Sequence, residues 1–358
     1  AQTDSMDLLH SAGVNLTAHL QAHYRGYEGL FNLASSVADL HTPFFVFFPV
    51  WFHLRREAGI KLIWVAVIGD WLNLVLKWVL FGERPYWWVH ETQFYGSEPA
   101  PVLRQFPITC ETGPGSPSGH AMGSAGVWYV MVMAVLSVAS ERDHSALFNR
   151  ALRVALWTAL CAVELIVCMS RVYVAAHFPH QVVTGVISGM IVAEAFSRVQ
   201  WIYSASLKRY LLTTLFLLVF ALGFYLLLRV LGVDLLWTLE KAKRWCVRAE
   251  WVHMDTTPFA SLLRNLGTLF GLGLGLHSPL SSGSHSGKRG HSAPFRLGCI
   301  TASLLLLQLL DLVHFSSERE LLFYLLSFCK SAAVPLITVA LAPCVISRLC
   351  PRQGKRQK

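Results

Sequence analysis

Thr112-Gly113-Pro114-Gly115-Ser116-Pro117-Ser118-Gly119-His120 runs without a break into Ala121-Met122-Gly123-Ser124-Ala125-Gly126-Val127-Trp128-Tyr129-Val130-Met131-Val132. A glycine, proline and serine turn feeding an apolar run reads as a loop followed by a helix start. The run, 118–139, is long enough to cross the roughly 30 Å of hydrocarbon in a bilayer. Runs of the same kind recur on both sides, at 29–52, 60–81, 151–169, 180–198, 210–230, 259–276, 295–315 and 320–347. Only 14% of the 358 residues are charged and 54% are hydrophobic, whereas a soluble domain carries about a quarter charged residues. The mean hydropathy is +0.47. Inside lipid the backbone must satisfy its own hydrogen bonds, which leaves helices. The reading is an all-α polytopic membrane protein of about nine transmembrane helices. One transmembrane domain, 29–347, lies between an amino-terminal tail, 1–28, and a carboxy-terminal tail, 348–358.

The first 28 residues are polar and mixed, with no cleavable signal peptide, and Met6 reads as a natural start after Ala1 to Ser5. There is no internal repeat. Ser278 to Ser292, rich in Ser, Gly and His, reads as a solvated loop.

The net charge of +9 raises the question of an acidic partner. The basic residues lie in short clusters between apolar runs, the pattern of loop asymmetry rather than of nucleic-acid binding, which is excluded. Loops 53–61, 140–153, 198–209 and 277–296, with the tail from Arg348, hold 17 Lys and Arg against 9 in the opposite set. The first set is expected on the cytoplasmic side. The amino-terminal tail and loops 82–117 and 170–180 then face the lumen. Asn15-Leu16-Thr17, a glycosylation sequon, falls on that luminal tail. Lys355-Arg356-Gln357-Lys358 resembles the di-lysine signal for return to the endoplasmic reticulum, with Arg for one Lys; an ordinary basic tail is the alternative. Of the eight cysteines, Cys161, Cys168, Cys299, Cys329 and Cys344 lie in apolar runs and read as buried thiols. Cys110 and Cys246 fall in loops on one side, which leaves a disulfide open.

Three stretches carry chemistry, and all three are placed at the luminal face. Lys77 and Arg84, seven residues apart, are two helical turns apart and project from one helix face. Pro85 should end that helix at Arg84. The turn at 112–120 presents free N–H groups at a helix start, an anion site with the Ser118 hydroxyl, the Gly119 amide and His120. Ser170-Arg171, followed by His177, brings a second guanidinium and imidazole. Such a set suits a phosphoryl group: cations and N–H donors neutralise its oxygens, one neutral imidazole attacks phosphorus, and the other serves the leaving alkoxide.

These residues match, in order and spacing, the three-part signature of the type 2 phosphatidic acid phosphatase and vanadium haloperoxidase superfamily. The resemblance implies that superfamily's helical core over 77–181, with His177 as nucleophile and His120 as acid and base. It places Lys77, Arg84, Ser118, Gly119 and Arg171 on the phosphate. Where the superfamily has an Asp four residues after the nucleophile, this chain has Gln181, so a carboxylate to orient His177 must come from elsewhere; Asp39 and Asp70 are the candidates. The chain resembles the glucose-6-phosphatase family nearly end to end. Trp64 to Leu74, Arg84 to Val89, Thr109 to Thr112, Ala176 to Gln181, Gly232 to Trp237, Asp255 to Ala260 and Ser327 to Ser331 carry that likeness, and Gln181 is shared with it. This implies a nine-span enzyme of the endoplasmic reticulum with a luminal site. It would release glucose and phosphate from glucose 6-phosphate delivered by a separate transporter, with no cofactor.

Asp39, Asp70, Asn73 and Asn265 within spans, with Glu111 and His180 from the loops, form a pool for sugar contacts or support of the site, ordinary hydrogen bonding being the alternative. His177 and His180 lack a third ligand at metal spacing. Tyr86-Trp87-Trp88 reads as an interfacial aromatic belt rather than a sugar platform. Beside the sugar-phosphate reading stand a lipid phosphatase of the same chemistry and a relative that binds phosphate without turnover.

Overall fold

A computed structural model describes residues 5–142, 145–253, 257–280, 292–315 and 319–349. Among these residues the chain is helical, with no strand. In order come α1 (Ser5–His23), α2 (Glu28–Ala38), α3 (Phe48–Leu54), α4 (Arg56–Leu80), α5 (Pro85–Glu91), α6 (Gly119–Ser140), α7 (Ala146–Tyr173), α8 (Pro179–Ser197), α9 (Leu207–Val230), α10 (Trp237–Trp245) and α11 (Pro258–Leu276). Three further helices cover Ala293–Asp311, Glu320–Leu336 and Ala342–Leu349. Most of the low-complexity stretch 278–292, part of the stretch 255–260, Ala1 to Asp4 and the tail from Cys350, including the basic end, lie outside the described residues.

Seven described helical segments are long and apolar enough to cross a membrane, or eight if the broken pair Arg25–Ala38 and Pro43–Leu54 is one span. The expected nine is not reached. On the count of eight the shortfall is α8, helical over the expected place but diluted by His180, Gln181, Thr184, Gly185, Ser188, Gly189 and Glu194.

The chain divides into two compact units. The first holds Ala1–Thr42, Ile68–Arg198 and Val219–Leu262; the second holds Pro43–Val67, Val199–Leu218 and Leu263–Lys358. In the second, Gly267 and Gly271 of α11 lie against the carbonyls of Phe328 and Ala332, so those backbones approach closely. Trp64 donates to the Tyr210 hydroxyl at 3.2 Å, and His53 meets Ser303 at 3.1 Å.

The first unit carries the motifs, and its central contact is α6 on α8. Gly185 and Gly189, one turn apart, face the first turns of α6: a Cβ on Gly185 would stand 2.6 Å from the Ser118 carbonyl, and one on Gly189 would stand 3.1 Å from Cβ of Ala125. Small residues at this spacing let two helices touch backbone to backbone. That approach sets the start of α6 beside the start of α8.

Within the stretch read as a tail, 1–28, Ser5–His23 form α1, which buries His10, Val14, Thr17, Leu20 and Gln21. Gln21 donates to the carbonyls of Arg104 (3.0 Å) and Tyr173 (2.7 Å) and accepts from the Arg104 amide at 2.8 Å. Asn15 is exposed on this helix, while Thr17 is buried and bonds back to the Gly13 carbonyl at 3.1 Å. Tyr86, Trp87 and Trp88 on α5 are not a belt at a lipid surface. They are buried in a core with Val14, Ala175, Phe178 and Ala242. The aromatic area that a belt would spread at an interface here holds α1, α5 and the α7–α8 connection together.

Candidate active site

Helix α4 does not carry both Lys77 and Arg84. It ends at Leu80, and Phe81 and Gly82 turn the chain with φ of 57° and 78°. The glycine accepts that left-handed conformation at no steric cost. Arg84 lies beyond the turn, extended (φ −118°, ψ 146°), as the residue before α5. Pro85 keeps Arg84 out of the helical region, as its sequence implies, but at the start of a new helix rather than the end of the old one. Lys77 returns to the same place by another route: its Nζ is 3.7 Å from where a Cβ on Gly113 would stand.

The Arg84 side chain is fully buried. Its Nε donates to the Gly113 carbonyl at 2.7 Å, Nη2 to Pro114 at 3.2 Å, and Nη1 to Ala176 at 3.1 Å and to Glu111 Oε2 at 2.8 Å. Arg171, also fully buried near the end of α7, donates from Nη2 to Glu111 Oε1 and from Nη1 to Ser35 at 3.4 Å. Its Nε has no acceptor among the described residues, a donor left for an anion. The same Glu111 carboxylate lies 3.4 Å from His120 Nδ1 and 3.5 Å from His177 Nε2. Both guanidiniums and both imidazoles therefore converge on one pair of oxygens. Burial alone would raise the Glu111 carboxyl, but Arg171 and Arg84 overcome it and hold the group well below the usual carboxylate range.

Ser118 is the N-cap of α6: its Oγ accepts from the Ala121 amide at 3.4 Å, and its own amide donates to the Gln181 carbonyl at 3.1 Å. Gly119 and His120 are the first two helical residues, whose N–H groups have no partner inside the helix. Asn73 braces this start, donating to the Pro117 carbonyl at 3.1 Å. His120 is partly exposed, with Asp39 Oδ2 3.6 Å from its Nε2.

His177 lies in the short turn before α8 and is fully buried. Burial pushes its imidazole far down, to about 3, with the Arg84 charge adding to the effect and Glu111 opposing it. The ring is therefore neutral. Its Nδ1 is 2.8 Å from the Gly115 carbonyl, which can only accept, so Nδ1 carries the hydrogen and Nε2 the lone pair. Arg84 Nη1 meets that Nε2 at 3.4 Å. Neither carboxylate expected to orient this ring does so. Asp39 pairs with His120, and Asp70 accepts from Ser261 at 2.5 Å.

The rest of the pool separates. His180 points away from the convergence, its ring 5.6 Å from His10 and 5.7 Å from Phe178. Asn265 is buried in the second unit. Cys110 and Cys246 are joined in a disulfide. Among the described residues no three His, Cys, Asp or Glu side chains gather as a metal site. Sequence reasoning does not reach the central place of Glu111 or the Gly185/Gly189 contact; the four-residue glycine spacing is the available signal for the second.

Residues 58–204 match the PAP2 superfamily, the class of protein that this helical core and its Lys, Arg and His set define. Over nearly its whole length the chain is similar to several curated proteins. It is 65% identical to glucose-6-phosphatase catalytic subunit 1 of Haplochromis nubilus over 346 residues (97% of this chain, 98% of that protein). It is 59% identical to glucose-6-phosphatase catalytic subunit 1 of Canis lupus familiaris over 351 residues (98% of each). It is 52% identical to glucose-6-phosphatase 2 of Homo sapiens over 355 residues (99% of this chain, 100% of that protein). The chain belongs to the glucose-6-phosphatase family. No solved structure matches it.

Proposed function

We propose that this chain hydrolyses glucose 6-phosphate to glucose and inorganic phosphate through a phosphohistidine on His177. The observation that carries the reading is the Glu111 carboxylate, an anion touched at once by Arg84, Arg171, His120 and His177. A phosphoryl group in that seat would meet the same guanidiniums and imidazoles, with the lone pair of His177 Nε2 facing phosphorus and Lys77 and the N–H groups at the start of α6 beside it. Nε2 of His177 forms a bond to phosphorus as the bond to the sugar oxygen breaks, and His120 gives that oxygen its proton. Water then attacks the phosphohistidine, His120 takes the water proton, and phosphate leaves. The names of the relatives supply the sugar phosphate as substrate.

The site is placed in the lumen of the endoplasmic reticulum, with the amino terminus on the same side, the carboxy terminus in the cytoplasm and a transporter supplying substrate. Two features support this: the Lys and Arg asymmetry, and the Cys110–Cys246 disulfide beside the site loop, since such bonds persist in oxidising compartments. The test compares phosphate release from glucose 6-phosphate and from phosphatidate, in intact and permeabilised microsomes. Release from the sugar phosphate that needs permeabilisation or a transporter, and that His177→Ala abolishes, is the expected result. Preference for phosphatidate would make the protein a lipid phosphatase, and binding without release would make it a phosphate receptor.

A further inference from the structure

Gln181 occupies the position where a carboxylate would orient the nucleophile, and it is fully buried. Its side-chain amide is used away from the His177 ring, at both ends. Nε2 donates to the Glu83 carbonyl at 2.7 Å, and Oε1 accepts from the Phe178 amide at 3.1 Å. Its backbone carbonyl receives the Ser118 amide. Between these bonds passes Gly115, whose amide donates to the Gly82 carbonyl at 2.8 Å and whose carbonyl holds His177 Nδ1 at 2.8 Å. A Cβ on Gly115 would collide with the Glu83 carbonyl and stand 2.7 Å from Gln181 Nε2. The strap carrying the Gly115 carbonyl is thus seated directly on the Gln181 amide.

We propose that Gln181 is the positioning residue for His177, acting through the Gly115 backbone carbonyl, which takes the place of the carboxylate. The inference rests on His177 being the nucleophile. An Asp at 181 would be one methylene shorter and would present only acceptors to the Glu83 carbonyl; the amide supplies the donor that this carbonyl needs and the acceptor that the Phe178 amide needs. The chemical consequence follows from the acceptor. A carbonyl fixes the tautomer with the lone pair on Nε2, as a carboxylate would, but adds no negative charge. When Nε2 bonds to phosphorus, Nδ1 keeps its hydrogen and the ring becomes cationic. A neutral carbonyl stabilises that cation less than a carboxylate, so the P–N bond breaks more readily when water attacks.

The test uses the full-length protein in detergent and two anions that read different parts of the site. Inorganic phosphate reads the cradle of cations and N–H donors. Vanadate also reads the aim of His177 Nε2, because it can bond to it. Gln181→Met keeps the shape and removes the amide, Gln181→Glu sets a carboxylate oxygen, and when ionised its charge, against the Glu83 carbonyl in place of the donor, and Gly115→Ala pushes the strap from the other side. In each, kcat should fall about 10- to 100-fold and the vanadate inhibition constant should rise comparably, while that of phosphate moves less than about twofold. Phosphate and vanadate constants rising together would mean a merely structural role and would overturn the proposal; so would an unchanged kcat in the folded variants. The wild type separates the two levels. If it neither releases phosphate from glucose 6-phosphate nor is inhibited by vanadate, the proposed function fails and this inference with it; if it does both, only the variants decide.

Discussion

The two ends of the site treat their histidines differently. His177, in the turn before α8, is sealed from solvent and held at Nδ1 by a backbone carbonyl. His120, in the first turn of α6, is 21% exposed and has a carboxylate at each ring nitrogen, Glu111 on one side and the half-exposed Asp39 on the other. A nucleophile needs a lone pair aimed at one point and protection from water and stray protons. A group that moves protons needs a path to solvent and partners that tolerate either charge. The difference teaches that two identical side chains take unlike properties from their surroundings, as the proposed division of labour between them requires.

The largest test of that contrast is His177→Ala. It should lower kcat by about four orders of magnitude or more for every phosphate ester, whatever its leaving group. His120→Ala should cost about 10²- to 10⁴-fold with glucose 6-phosphate, and far less with an aryl phosphate whose phenolate leaves without a proton. Steady-state rates on the two substrates check both, and equal losses for the two variants on the aryl ester would break the comparison.

Glu111 is the one group that both histidines share, so its removal sharpens the contrast. Glu111→Gln leaves two buried guanidiniums without their carboxylate, and breaking such a pair costs up to about 3–5 kcal/mol. The melting temperature should fall, and inorganic phosphate should raise it more than in the wild type, because the carboxylate no longer competes for the seat. Thermal melts with and without phosphate read this directly.

The smallest effect is in pH. The His177 ring is pushed down to about 3 in the fold and returns to about 6.5 when unfolded. Between those values the unfolded chain binds the extra proton, so the stability from keeping this ring neutral is complete above about pH 6.5 and is lost as pH falls toward about 3. The slope is about 1.4 kcal/mol per pH unit. Melting curves from pH 7 to pH 5 should decline more steeply for the wild type than for His177→Asn. Glu111 works in the same direction at lower pH, its depressed carboxyl stabilising the fold above about pH 4.3 and losing that effect below.

Much of the site is legible in the sequence. The seven residues proposed for phosphate and catalysis lie in three short motifs, and five of them (Arg84, Ser118, Arg171, His120 and His177) have their side-chain or capping contacts within one unit of the fold. The placing of Lys77 and Arg84 on one helix face misleads. Seven residues is two turns only if the helix continues, and Phe81-Gly82 ends it. Tyr86-Trp87-Trp88 misleads for a related reason: composition shows that aromatic area must be covered, but not whether lipid or protein covers it. The count of spans falls short at α8 because a helix packed through glycines against α6 need not be apolar all round.

By itself the sequence determined the class of the fold and the chemistry on offer. Apolar runs of membrane length, cations beside a helix start, and one histidine in the first turn of a helix with another in a loop follow from local composition and spacing, which the bilayer and the backbone convert into structure with few alternatives. Tertiary structure alone decided which partner each group has. That Arg171 reaches Glu111, that Asp39 belongs to His120, and that the Gly115 carbonyl holds His177 while the Gln181 amide holds the Glu83 carbonyl are contacts between residues 60 to 98 positions apart. Hydrogen bonds form wherever the fold brings a donor to an acceptor, and backbone carbonyls, present at every residue, leave no mark in the sequence to show which one will be used.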